Sequence, residues 1–230
     1  MVVVSIEYGT APRNRFPGPL HDVIATSLEI LEDESLPIDK LRVVLGGFSA
    51  GGNLALAAAQ SLALKDKIKG VVSWYPVTEV ALTPAEKQIT RAYRNARDTD
   101  DLKDFGPAFN WSYIPAGINL RDPQISVRYA KRESLPKYVF VIGAEYDMLC
   151  KEARDLIFDL AELDDLERKA GMIGFEREGY KWLLARNVRH GFTHDILDGI
   201  KPEAGIISKE EYAKAVKEVG EWLFKGPWSG

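Results

Sequence analysis

Residues 42–60, RVVLGGFSAGGNLALAAAQ, pass from branched apolar residues through four glycines and one serine straight into an alanine-rich stretch. Glycine weakens a buried strand, so glycines that interrupt one serve the backbone itself. Either the chain must approach a ligand closely, or it must turn a sharp corner from strand to helix. A phosphate-cradling loop needs Gly-x-x-x-x-Gly-Lys-Ser/Thr, whereas Gly46 and Gly51 are followed here by Gly52-Asn53 with no lysine. The dinucleotide spacing Gly-x-Gly-x-x-Gly also fails, because Phe48 and Ser49 fill the positions where its second glycine would fall. A turn that only packs helix against strand is a further possibility. Gly47-Phe48-Ser49-Ala50-Gly51 fits better the Gly-x-Ser-x-Gly corner that lifts a serine hydroxyl above the carboxyl end of a sheet. In that geometry small residues two places either side of Ser49 avoid a collision of Cβ positions. The following helix presents its backbone N–H groups, that of Ala50 first, to a developing negative charge.

The flanking pattern predicts the sheet that such a corner needs. Strand signals fall at Val2–Glu7, Arg42–Leu45, Gly70–Trp74, Tyr138–Ile142 and Tyr180–Val188. Helical spacing marks the segment LHDVIATSLEILEDE, Ala50–Leu64, Lys151–Ala170 and Lys209–Phe224. Strands alternating with helices of ten or more residues imply a parallel sheet covered on both faces, an α/β fold in one domain. The rhythm breaks between Pro76 and Pro136, where charges mix with Tyr93, Phe105, Phe109, Trp111 and Tyr113. A connection that long is read as a lid or a small helical insertion, with a solvated excursion as the alternative.

Composition narrows the partners. The 230 residues carry a net charge of -4, which gives no global attraction to nucleic acid or to an anionic membrane surface. No apolar run reaches the roughly 18 residues that span a bilayer. The single cysteine, Cys150, excludes an internal disulfide framework and suits a reducing, cytoplasmic compartment. The β-branched run that starts at Val2 has no leading element, so further sequence is expected upstream of it.

A serine becomes a nucleophile only beside a base that a third group orients. Of three histidines, His21 precedes the corner at the start of a helix and reads as structural or exposed. His190 and His194 both follow the last strand. His190 is preferred because Gly191-Phe192 lets its backbone turn inward, and His194, beside Asp195, is the alternative. The strand YVFVIGAEYDMLC ends in a polar turn holding Glu145 and Asp147. Asp147 lies deeper in that turn and is the preferred acid, although aspartate also favours helix N-caps on its own account.

These segments together resemble the hormone-sensitive-lipase-like branch of the α/β-hydrolases. VVVSIEYGTAPRNRFPGPLHDV is similar to that family's Tyr-Arg-Leu-Ala-Pro-Glu … Phe-Pro … Asp-Val segment. GFSAGGNLA, IGAEYDML and VRHGF match its nucleophile, acid and histidine segments in order. The resemblance implies hydrolysis of small-molecule carboxylic esters by Ser49, His190 and Asp147, with no cofactor and no metal. It also implies that residues from about 78 to 136 help to cap an acyl pocket. The chain departs from the family pattern at Gly9-Thr10, where Arg-Leu is usual, at Arg13 in place of glutamate, and at Phe48, often aspartate. The family's His-Gly-Gly-Gly loop, a source of oxyanion donors, precedes the matched segment and has no counterpart here. Ala50 N–H is then the one donor assigned to the oxyanion. The contrasting expectation is a catalytically impaired chain, or a non-catalytic homologue that only binds a ligand.

Overall fold

The computed structural model describes residues 1–91, 100, 102–194 and 202–229. Along its central strands the side chains alternate between two cores. Val71, Val139, Val141, Trp182 and Leu184 point to one face, and Val72, Phe140 and Ile142 to the other. This period of two, apolar on both sides, belongs to a sheet covered on both faces. The strands are β1 (Val43–Phe48), β2 (Ile68–Trp74), β3 (Tyr138–Ala144), β4 (Gly174–Arg177) and β5 (Tyr180–Ala185). Their spatial order is β1-β2-β3-β5-β4, with every pairing parallel except the β4–β5 hairpin. The first face is covered by α1 (Gly18–Glu32), α2 (Ala50–Ala58) and α5 (Cys150–Leu160). The long closing helix α7 (Pro202–Lys225) covers the second through Ala215, Trp222 and Leu223.

The expected insertion holds no strand among its described residues. It contains α3 (Pro84–Thr90), α4 (Leu102–Tyr113) and two short 3-10 turns at 127–129 and 132–134. A capping box at Thr83 starts α3: the hydroxyl accepts from Glu86 N–H while the Glu86 carboxylate accepts from Thr83 N–H. Of the aromatics in this region, Phe105, Phe109 and Trp111 on α4 are exposed. Tyr93 lies outside the described residues.

Four expectations are corrected. Val2–Glu7 forms no strand, and Val2, Val3 and Val4 are exposed. Among the described residues the run pairs with no strand: it faces the edge strand β1 across a cavity, so its β-branched residues join no ladder. The helix after Ser49 ends at Ala58, where the chain enters a series of turns, and does not continue to Leu64. The stretch 151–170 divides into α5 and α6 (Asp165–Ala170), because Glu162 takes a positive φ of 53° and Asp164 begins a new capping box with Glu167. The last strand stops at Ala185. Its partner β4 comes from residues assigned no structure by periodicity, joined through Glu178 and Gly179, both at positive φ as a two-residue hairpin turn requires.

Candidate active site

Ser49 stands between β1 and α2 with φ 52° and ψ -116°, a backbone region that non-glycine residues rarely occupy. Two backbone bonds hold it there: Ser49 N–H donates to Trp74 O at 2.9 Å, and Asn53 N–H donates to Ser49 O at 3.1 Å. The flanking glycines differ in their reasons. A Cβ on Gly47 would lie 2.2 Å from the Gly51 carbonyl oxygen, which the tight turn cannot relieve. A Cβ on Gly51 would meet nothing nearer than the Tyr8 hydroxyl at 3.8 Å, so the expected collision exists on the Gly47 side alone. Gly52 is constrained by Ser73 Oγ, 2.5 Å from its would-be Cβ. Ser49 occupies the N-cap of α2, yet its hydroxyl makes no capping bond. The N–H groups of the first turn, including Ala50, have no intrahelical acceptor.

Asp147 lies in the turn after β3, completely buried, and His190 in the loop after β5. His190 Nδ1 is 2.7 Å from Asp147 Oδ2, and His190 Nε2 is 2.8 Å from Ser49 Oγ. The other carboxylate oxygen of Asp147 accepts from Leu149 N–H at 2.9 Å, which fixes the plane of the group. Burial alone would lower the His190 pKa, but the neighbouring Asp147 carboxylate outweighs it and holds the ring above its ordinary value of 6.5. The Tyr75 ring packs edge-on at 4.9 Å from the imidazole and completes its walls. Burial pushes the Tyr75 phenol up to about 12, so it stays protonated.

The alternatives point elsewhere. His194 Nδ1 lies 3.1 Å from Thr193 Oγ1 and 3.4 Å from the Tyr75 hydroxyl, with its ring against Phe48. Asp195 lies outside the described residues. Glu145 accepts from Asn187 N–H at 2.6 Å, on the surface. His21 is exposed on α1. Cys150 is buried, and burial pushes its thiol well up, as suits an inert core residue.

Beside Ser49 a cavity of about 350 Å³ opens between the sheet and the insertion. Tyr8, Leu54 and Met148 line it from outside the insertion, and Val80, Phe109 and Ile125 from within 78–136. Asn53 braces the wall, its side-chain N–H groups donating to Val77 O at 2.8 Å and Ile125 O at 3.0 Å. Sequence reasoning passed over Tyr75 and Asp100. Tyr75 follows a strand end directly, where a side chain reaches the same rim as Ser49. Asp100 stands in a charge cluster with no periodicity to place it.

A doubly covered, mostly parallel sheet with a serine at its strand–helix corner and an acid and a histidine on later loops defines an α/β-hydrolase. The model of the alpha/beta hydrolase fold family matches residues 1–169, and the chain belongs to that family. Mouse neutral cholesterol ester hydrolase 1 is 42% identical over 85 residues, covering 34% of this chain and 21% of that protein. An arylesterase of Saccharolobus solfataricus is 31% identical over 163 residues, covering 70% of this chain and 52% of its own length. Among solved structures, an alpha/beta hydrolase enzyme from the metagenome of Lake Arreo superposes with a TM-score of 0.69 at 26% identity, over 93% of this chain and 62% of that one. The chain therefore spans about a fifth to three fifths of the length of these proteins. No helix among the described residues is long and apolar enough to cross a membrane.

Proposed function

We propose that this chain hydrolyses carboxylic esters with small or medium acyl groups through an acyl-enzyme on Ser49. One observation carries the reading: a continuous hydrogen-bonded path from Asp147 through His190 to a serine hydroxyl that is spent on no helix cap. Ser49 Oγ attacks the ester carbonyl as its proton passes to His190 Nε2. A tetrahedral oxyanion forms in front of Ala50 N–H. His190 then gives the proton to the leaving alcohol as the C–O bond breaks. Water enters, loses a proton to His190 and attacks the acyl carbonyl, and collapse of the second tetrahedral intermediate frees the acid and returns the proton to Ser49. Asp147 keeps the imidazole oriented and favours its charged form. The apolar cavity suits the acyl chain, and residues 78–136 act as its cap. Names of the relatives, a cholesterol ester hydrolase and an arylesterase, support ester chemistry without fixing the alcohol.

The second reading is a binding homologue with impaired turnover. It is favoured by a single feature, namely that Ala50 N–H is the one oxyanion donor assigned. Loss of a single donor costs about 10²–10³ in turnover. A fluorophosphonate probe and p-nitrophenyl acetate separate the two. Ester hydrolysis and probe labelling that both vanish in Ser49→Ala are the expected result. A folded chain that neither labels nor hydrolyses would leave the binding homologue standing.

A further inference from the structure

The insertion grips the acid turn from both sides of Asp147. Asp100 is buried at 5% exposure. Its Oδ2 accepts the Met148 N–H at 2.5 Å, and its Oδ1 accepts the Leu102 N–H at 2.8 Å, where α4 begins. Arg91, equally buried, donates from Nη1 to the Tyr146 carbonyl at 3.2 Å and lies 4.0 Å from Asp100 Oδ2. Residues 146 and 148 are thus held by two side chains that come from the insertion, not from the sheet. A buried carboxylate is costly unless hydrogen-bonded and paired, and here two backbone N–H groups and a nearby guanidinium offset that cost.

We propose that Asp100 is a positioning residue of the hydrolytic site, fixing the turn that presents Asp147 to His190 and adding a second negative charge behind the imidazole. The proposal rests on the esterase reading for its kinetic consequence, but not for its structural one. Around His190 stand Asp147 from the turn after β3, Tyr75 from the end of β2 and Ser49 from the elbow. Asp100 acts on it from the insertion, with Arg91 4.0 Å behind that carboxylate, while Arg189 and His194 flank it on its own loop. Of the two carboxylates that favour its charged form, Asp147 acts directly and Asp100 from behind. Burial and the proximity of Asp147 also hold the Asp100 carboxyl above its ordinary range.

The test replaces Asp100 by asparagine, which keeps an oxygen for Met148 N–H and removes the charge. In a Ser49→Ala background, the ring resonance of His190 is assigned by its disappearance in His190→Gln and followed against pH. With Asp100→Asn its midpoint should fall by roughly half a pH unit or more. An unchanged midpoint in the folded variant overturns the proposal. With Ser49 restored, Asp100→Ala should lower kcat for p-nitrophenyl esters about tenfold while KM moves less than about twofold. Asp100→Asn should recover most of that loss, with the acid limb of kcat/KM displaced to lower pH. Equal kcat in wild type and Asp100→Ala likewise overturns it. If Asp100→Asn does not fold, Arg91→Met serves instead: loss of the donor to the Tyr146 carbonyl should loosen the same turn and lower kcat with KM little changed, and an unchanged kcat counts against the proposal. The titration needs no turnover, so a chain without Ser49 labelling fails the esterase reading while the role of Asp100 is still decided.

Discussion

The site is assembled from two regions held by different forces. Ser49, Asp147 and His190 follow the carboxyl ends of three parallel strands, β1, β3 and β5, each within a few residues of a ladder hydrogen bond. Among its described residues the insertion has no ladder. It is fastened by Val80, Ile125, Val127 and Leu135 packed into the main core and by buried polar contacts, among them Glu152 of α5, which accepts from Thr78 N–H at 2.8 Å and Glu79 N–H at 3.1 Å and pairs with Lys87 at 2.7 Å. Burial lifts the Glu152 carboxyl, and the Lys87 ammonium with the two N–H groups works against that rise. Strand ends fix the reacting atoms through many cooperative bonds. The insertion depends on side-chain packing and a few buried polar contacts.

Mutations should separate the two regions. Glu152→Ala takes the carboxylate from a buried ammonium and from two backbone N–H groups, and should destabilise the chain by about 3–5 kcal/mol in denaturant titration. At temperatures where the variant stays folded, Ser49 labelling should persist. Labelling lost along with stability would mean that the two regions are one unit. Gly47→Ala acts on the other region, since its methyl meets the Gly51 carbonyl. Displacement of Ser49 by a fraction of an ångström to an ångström should reduce ester hydrolysis about 10²-fold, with a smaller loss of stability. Hydrolysis at the wild-type rate would show that the turn can relax.

Two smaller effects sharpen the contrast. His190 must be neutral to accept the serine proton, and Asp147 holds its pKa above 6.5. The kcat/KM profile should therefore rise with pH through a midpoint above 6.5, and a midpoint below that value would contradict the geometry of the pair. Folding linkage has the matching sign: the His190–Asp147 interaction stabilises most fully below the unfolded histidine pKa and fades as pH rises through the folded one. Phe109→Ala trims the cavity wall on α4, where the ring is 58% exposed. Hydrolysis of longer p-nitrophenyl esters relative to the acetate should shift about threefold, as befits a partly solvated contact. No change in chain-length preference would remove Phe109 from the acyl wall.

How far the sequence could be read follows the same division. The elbow, the acid turn and the histidine loop were legible because strand period, glycine corner and polar turn are all local signals. Gly51 was given a steric reason that belongs to Gly47, since pentapeptide spacing does not reveal which Cβ would collide. Val2–Val4 have the same residue types as Val71–Val72, yet only the latter form a strand. A strand is a property of a pair, and one sequence segment does not disclose its neighbour. The β4 hairpin was hidden because Glu178-Gly179 lacks the Asn or Asp that usually marks such a turn. The break before α6 was visible in principle, as Asp164 and Glu167 spell a capping box. Asp100 and Arg91 were beyond reach: their partners are backbone groups about fifty positions away in the chain.

The backbone of Ser49 has an evolutionary corollary. A serine at φ 52° that leaves its N-cap unused is a poor choice for a stable fold. Glycine at that position would accept the same torsion with less strain, of order 1 kcal/mol. If Ser49 is the nucleophile of the proposed hydrolysis, selection for its hydroxyl, and not for stability, is what would keep serine over glycine at this torsion.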